Sequence, residues 1–176
     1  MSRAAHCLAL AVLVGAGCAS LDRAQCVNAD WRAIGLEDGP QGRPLERLGD
    51  HRRACAEHGV APQTDAWLAG HAEGLKSFCT STRGYNAGRA GHAYSGACPE
   101  GPMAASFLAG YRKGRELHDL ERQLQAVQEQ IRRSKALLKE GIRDPRERAR
   151  EVERLESLTR DSEQLERAFA DASARP

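Results

Sequence analysis

Aromatic side chains are scarce in this 176-residue chain, at 5% of the sequence. Cores of ordinary size rely on such large side chains, so other devices are needed to stabilise a domain of this length. No stretch after residue 17 approaches the roughly 20 apolar residues that a membrane-spanning helix needs. Neither sign of charge dominates, since 26 basic and 24 acidic residues are interleaved. No nucleic-acid partner is therefore expected, because such proteins carry a clustered basic excess.

Recognisable catalytic motifs are also missing, including G-x-S-x-G, S-x-x-K, H-E-x-x-H and the P-loop. Glu37 and Asp38 are adjacent carboxylates that point to different sides of a helix, and we interpret them as solvated or capping. His51, His71 and His92 are candidate bases without a local nucleophile signature. We expect no catalytic residue, no cofactor and no enzyme. The alternative is a cell-wall hydrolase, which needs a groove lined by paired carboxylates or a His/Asp pair.

Residues 1–17 have the pattern of a lipoprotein signal peptide. Arg3 supplies a basic start, and residues 7–14 form an uncharged apolar run that is too short to span a bilayer. Small residues then lead to Cys18, which suits cleavage directly before a cysteine that carries a lipid. Gly15 departs from the Leu or Val preferred there, so an ordinary secretory peptide cut nearby is the alternative. Ala19 after the cysteine favours the periplasmic face of the outer membrane.

The chain contains six cysteines, of which Cys7 leaves with the signal peptide and Cys18 takes the lipid. The other four form an even set, which is typical of two disulfides in an exported domain. Three connectivities are possible, and we favour the one that closes two local loops. A metal site is the alternative, although no C-x-x-C pair and no zinc-finger histidine spacing exist. The favoured disulfides are Cys26–Cys55 and Cys79–Cys98.

An aromatic residue followed by glycines at helical spacing recurs along the chain. A glycine within a helix costs up to about 1 kcal/mol relative to alanine, so repeated glycines need a compensating reason. Close packing against another backbone is the favoured reason, and a glycine-lined groove for a partner's backbone or a glycan is the alternative. The four copies begin at Trp31, Trp67, Tyr85 and Phe107, and their glycines are Gly35, Gly39, Gly70, Gly74, Gly88, Gly91, Gly110 and Gly114.

The C-terminal part predicts an antiparallel coiled-coil hairpin of two helices, each about 25 residues long. Asp144 and Pro145 mark the start of the second helix. Such a hairpin is a spacer or a docking surface, unless it packs on the domain or pairs with a second copy. Seam residues step by three and four along both helices and are apolar except for two serines: Leu117, Leu120, Leu124, Val127, Ile131, Ser134 and Leu138, and Val152, Leu155, Leu158, Ser162, Leu165 and Phe169.

The sequence as a whole predicts an all-α protein in which a small, disulfide-stapled, Gly-rich helical domain precedes the hairpin. Its segments are a signal peptide (1–17), a lipidated tether (18–30), a domain of glycine and aromatic repeats (31–102) and a long helical hairpin (103–172). We expect a non-catalytic binding or scaffold module. Its partners are the membrane, through the N-terminal lipid, and an envelope protein or peptidoglycan.

One set of cysteine, glycine and aromatic positions runs through the first two thirds of the chain: Cys26, Trp31, Gly35, Asp38, Gly39, His51, Cys55, Gly59, Gly70, Gly74, Phe78, Cys79, Tyr85, Gly88, Gly91, Tyr94, Gly96, Cys98, Phe107, Tyr111 and Gly114. This set resembles the domain-of-unknown-function family 2799, which consists of small proteobacterial lipoproteins. The resemblance covers about residues 18–120. Trp67 departs from the Tyr that is usual there. The resemblance implies a lipoprotein of the cell envelope and supplies no catalytic residues.

Overall fold

A computed structural model describes residues 20–175, and every regular element in this range is a helix. The all-α fold class predicted from the sequence is therefore confirmed. Short connections join most of the elements, a longer loop at residues 90–101 precedes α6, and the last two helices are the long ones. In chain order they are α1 (Arg23–Val27), α2 (Trp31–Asp38), a 3-10 turn (Gly39–Gln41), α3 (Arg47–Ala56), α4 (Thr64–Phe78), α5 (Ser81–Arg89), α6 (Pro102–Glu140) and α7 (Pro145–Ala174).

Aspartate side chains cap the first turns of α2 and α7, two helices whose starts the sequence predicts. Asp30 accepts a hydrogen bond from the Ala33 amide at 3.0 Å, which satisfies one of the free donors at the start of α2. Asp144 accepts one from the Arg146 amide at 2.9 Å, and Pro145 follows it as the first residue of α7. The start of the second hairpin helix is therefore where the sequence predicted it.

Helices α2 and α4 lie side by side in parallel, with backbone packed directly on backbone. A Cβ added at Gly35 would lie 2.1 Å from the Trp67 carbonyl oxygen, and one added at Gly70 would lie 1.9 Å from the Arg32 carbonyl oxygen. The next glycine along each helix makes a similar approach. We call this arrangement the first glycine pair. It confirms packing as the reason for the glycines, because partner backbone occupies the space that a groove would offer to a ligand.

Helix α5 and the N-terminal part of α6 form a second glycine pair of the same kind. A Cβ at Gly84 would lie 2.0 Å from the Phe107 carbonyl oxygen, and one at Gly110 would lie 2.0 Å from the Ser81 carbonyl oxygen. The successive contacts again run in the same direction along both helices, so this pair is also parallel. The domain therefore consists of two similar units in succession, and each unit is built on one glycine pair.

The two glycine pairs share further contacts in matching places, which marks the domain as an internal duplication. His71 Nε2 donates to the Arg43 carbonyl oxygen at 2.7 Å, and Tyr111 Oη donates to the His92 carbonyl oxygen at 2.8 Å. Each accepting residue directly follows a glycine with a positive φ angle, and this glycine lies just after the first helix of its unit. The glycines and the rings packed on them are Gly42 against Phe78 and Gly91 against His118.

Each disulfide closes the crossover that a pair of parallel helices requires. Cys26–Cys55 joins α1 to the end of α3, ahead of α4, and Cys79–Cys98 joins the start of α5 to the loop ahead of α6. Their Cα–Cα distances are 5.4 and 5.7 Å, and all four residues are buried. The connectivity favoured from the sequence is therefore confirmed. Two disulfides at equivalent places add stability that a core with few aromatic side chains would otherwise lack.

The segment expected to be a tether up to residue 30 packs on the domain from Leu21 onward. Leu21 and Cys26 belong to the same buried cluster as Trp31, and Ser20 Oγ lies 2.9 Å from His51 Nδ1. The Cys26 disulfide holds α1 against α3, which is why these residues are part of the domain. The described part of this segment is therefore no flexible linker.

Helices α6 and α7 form the predicted antiparallel hairpin, but α6 has 39 residues and α7 has 30, against the roughly 25 expected. Helix α6 begins at Pro102, at the boundary expected at residues 102 and 103, but its first turns carry Phe107 and Gly110 of the second glycine pair. One helix thus belongs to both the domain and the hairpin. The buried residues along the hairpin seam are Leu117, Ser134, Leu158, Ser162 and Ala172.

Candidate functional site

The predicted lipidation site, Cys18, and the signal peptide of residues 1–17 lie outside the described residues. Ser20, two positions after Cys18, is the first described residue. Among residues 20–175, no helix is long and apolar enough to cross a membrane.

The four cysteines of the predicted disulfide set are paired with each other, and they do not ligate a metal. A metal ligand would have to be a free thiolate, which a disulfide sulfur is not. Over the described range, no group of three or more His, Cys, Asp and Glu side chains could hold a metal ion. The metal alternative for these cysteines is therefore wrong.

The main concentration of polar groups in the described domain is a buried cluster around Asp38. His51 Nε2 lies 2.8 Å from Asp38 Oδ2, and Trp67 Nε1 donates to the same oxygen at 3.0 Å. Arg47 Nε lies 3.5 Å from the other carboxylate oxygen. His51 is 1% exposed and Asp38 6%. Because an ionised carboxylate can only accept hydrogen bonds, we assign the proton of His51 to Nε2.

The surroundings of Asp38 stabilise its charged form. Burial acts to raise the pKa of this carboxyl group, because a carboxylate loses its hydration in the core. Hydrogen bonds from His51 and Trp67, together with the positive charge of Arg47, outweigh burial and place the pKa below its ordinary value of 3.8. Asp38 is therefore ionised at neutral pH, and its partners are positioned around a fixed negative charge.

The interpretation of Asp38 as solvated or capping is wrong, although its neighbour Glu37 is exposed as expected. Asp38 follows Gly35 by three residues and therefore lies on the helix face that packs against α4. Helix α4 then brings Trp67 to the carboxylate, and α3 brings Arg47 and His51. The signal that could have found this residue is its position on the glycine face.

Ser20, which the sequence did not single out, extends this cluster into a Ser–His–Asp chain. Its Oγ contacts His51 Nδ1 at 2.9 Å, on the opposite side of the ring from Asp38. Hydrolase relays contain the same three groups, but there the Asp binds Nδ1 and the Ser binds Nε2. Here Nδ1 can accept the Ser20 proton. The contact also fastens the chain, two residues after Cys18, to the core of the domain.

His71 and His92, the other candidate bases, lie apart from the Ser–His–Asp chain. His71 is 2% exposed, stacks on Trp67 with ring centroids 4.5 Å apart, and donates its Nε2 proton to the Arg43 carbonyl oxygen. His92 is exposed and belongs to the second unit. The structure therefore brings only His51 of the three into contact with a carboxylate.

A largely apolar groove of about 400 Å³ runs beside α4. Leu45 and Leu68 are 60% and 38% exposed on its walls, and His71 also lines it. The Nε2 proton of His71 is already engaged, and the other titratable side chain of the lining is the exposed Glu46, so the groove is mainly apolar with one carboxylate at its edge. The loop of residues 95–99 lines the groove on the side of the second unit.

Comparison with known families gives one match, to the model described as "Protein of unknown function (DUF2799)", over residues 30–116. The matched range begins at the cap of α2 and ends in α6, so it spans both glycine pairs and leaves the hairpin beyond them. No curated protein and no solved structure matches the chain. The resemblance drawn from the spaced cysteine, glycine and aromatic positions is therefore confirmed.

Proposed function

This chain belongs to the DUF2799 family, and from that premise we propose that it is a non-catalytic lipoprotein of the cell envelope. In this proposal Cys18 carries the lipid, the duplicated domain sits at the surface of the membrane, and the hairpin serves as a contact arm. The observation that supports it most is the pair of buried disulfides. Such bridges persist in oxidising compartments and are rare in the cytosol.

The contact between Ser20 and His51 gives the proposed anchor a specific consequence. Because Ser20 is bonded to the core and lies two positions from Cys18, the domain would rest on the bilayer instead of moving on a long tether. The hairpin is the largest extended surface in the described chain, since α6 alone is roughly 58 Å long at 1.5 Å per residue. A long hairpin that projects from a membrane-anchored domain is suited to the role of a scaffold.

We expect the mature protein to begin at Cys18, with a mass increased by its acyl groups and with no free thiol. The Cys18→Ala variant should lose the acyl mass and move from the detergent phase to the aqueous phase. Intact mass spectrometry with and without a thiol-reactive maleimide measures both properties. Cys7→Ala is the matched control and should change nothing, because Cys7 leaves with the signal peptide. Full-length, unmodified protein with four reactive thiols in the domain would contradict the proposal.

A hydrolase acting on peptidoglycan or another envelope glycan is the second candidate, and the Ser20–His51–Asp38 chain is the observation in its favour. The near-complete burial of His51 speaks against it, because a substrate has to reach the reacting groups. We expect purified protein to release no soluble fragments from peptidoglycan. Release that disappears in Ser20→Ala, while the domain keeps its thermal stability, would replace the scaffold by an enzyme.

A further inference from the structure

Charge is divided unequally along the hairpin. We call residues 130–150 the tip and residues 116–129 and 151–171 the shaft. The tip has eight basic and three acidic residues, a net charge of +5, whereas the shaft has eleven acidic and four basic residues, a net charge of −7. The hairpin is therefore strongly polarised although the chain as a whole is nearly neutral.

The hairpin topology places like charges beside each other. Because α6 and α7 are antiparallel, the two basic ends meet at the tip and the two acidic ends meet along the shaft. Ion pairs such as Arg133–Glu129 and Arg115–Asp119 form between neighbours on α6 itself. All eight basic residues of the tip are exposed. Every acidic residue of the shaft on α6 is paired within the chain, whereas none of those on residues 151–171 of α7 forms an ion pair, so the uncompensated negative charge lies on α7.

The apolar seam of the hairpin is also incompletely covered. Of its large apolar residues, Leu117 and Leu158 are buried, whereas the others are partly or largely exposed. Near the tip, the seam residue Val152 is 39% exposed, and Leu137, beside the seam residue Leu138, is 47% exposed. Small Ser134 and Ser162 at the buried positions let the two helices approach closely but contribute little apolar area. A third and fourth helix would cover the residues that two helices leave in contact with water.

We propose that the hairpin pairs with the hairpin of a second copy of this chain, in an antiparallel arrangement with tip on shaft. A two-fold axis across the middle of the hairpin places each net charge of +5 opposite a net charge of −7, twice in one interface. A parallel arrangement would place like charge on like charge. An anionic membrane or polymer would attract the tip but repel the shaft, so it matches only half of the pattern.

The inference rests on the proposed role of the hairpin as a contact arm, and it does not depend on the lipid at Cys18. We expect full-length protein in density-matched detergent to sediment as a dimer, with an affinity that falls as salt rises. Reversing tip charges with Lys135→Glu, Lys139→Glu, Arg148→Glu and Arg150→Glu should raise the dimer Kd by about a hundredfold or more. Reversing shaft charges with Glu156→Lys, Asp161→Lys, Glu163→Lys and Asp171→Lys should do the same.

Mixing the tip-reversed and shaft-reversed chains should restore a dimer, because each surface again meets its opposite. Reversal of two exposed domain charges, Arg83→Glu and Arg112→Glu, is the matched control and should leave the dimer intact. A parent chain that stays monomeric would overturn the proposal, and so would a dimer indifferent to all charge reversals. Binding of monomers to vesicles containing anionic phospholipid would assign the tip to a membrane instead. None of these results bears on acylation at Cys18, which is measured separately.

Discussion

Gly70→Ala is expected to lower the free energy of unfolding of the domain by about 3 kcal/mol or more. The added methyl carbon would lie 1.9 Å from the Arg32 carbonyl oxygen and 2.9 Å from the Leu36 amide nitrogen. Both neighbours are backbone atoms of α2, so neither can move without moving the helix. Alanine favours a helix over glycine by only about 1 kcal/mol, which is too little to offset separation of α2 and α4.

Urea unfolding followed by tryptophan fluorescence measures this loss, because Trp31 and Trp67 are both buried in the first unit. Gly49→Ala is the matched control. Gly49 is also helical, but its new Cβ would meet only Arg53 Nη1, at 3.6 Å. We therefore expect Gly49→Ala to be neutral or to stabilise by up to about 1 kcal/mol. Equal effects of the two substitutions would show that α2 and α4 do not pack backbone on backbone.

Asp38→Ala should lower the free energy of unfolding by about 3–5 kcal/mol at neutral pH. The substitution removes the acceptor shared by His51 Nε2 and Trp67 Nε1. Two buried donors then lose their partner in a site that water cannot readily enter, and each is costly to leave unsatisfied. Asp50→Ala is the control, because Asp50 also contacts Arg47 but lies at the surface, where an ion pair contributes at most about 1 kcal/mol.

The effect of Asp38 should depend on pH with a definite sign. Its pKa in the folded protein lies below the ordinary value of 3.8, so its contribution is fully present above that value. The contribution is lost as pH falls through the folded-state pKa, because the unfolded chain then binds the proton first. Urea titrations at neutral pH and near pH 3 should therefore show the stability gap between parent and Asp38→Ala narrowing in acid. A gap that widens in acid would contradict the assigned charge state.

Features set by neighbours in the sequence could be predicted, since their physical causes are local. Asp144 and Pro145 mark a helix start by themselves, and residues spaced by three and four define the hairpin seam. The preference for short loops was enough to select Cys26–Cys55 and Cys79–Cys98. The glycine repeat likewise indicated backbone packing. The sequence did not show which helices pair, because closely spaced glycines look the same on either partner.

Features that depend on contacts between distant residues were missed or misplaced. Asp38 becomes buried only when α3 and α4 supply His51 and Trp67, which follow it by 13 and 29 residues. Ser20 joins that cluster because the Cys26 disulfide returns α1 to the domain. The expected boundary at residues 102 and 103 coincides with the start of α6, but the domain extends into that helix for a related reason. The first turns of α6 pack against α5, and composition alone does not show this contact between two helices.

The shared use of α6 has a mechanical consequence. Residues 117–140 extend roughly 36 Å beyond the second glycine pair at 1.5 Å per residue. Gly110 and Gly114 place the backbone of α6 directly against the backbone of α5. No flexible side chain lies between the two helices that could adjust if α6 tilted. The hairpin therefore acts as a lever with its fulcrum at these two glycines. A load at its far end is expected to be transmitted as torque to α5 and the Cys79–Cys98 bridge.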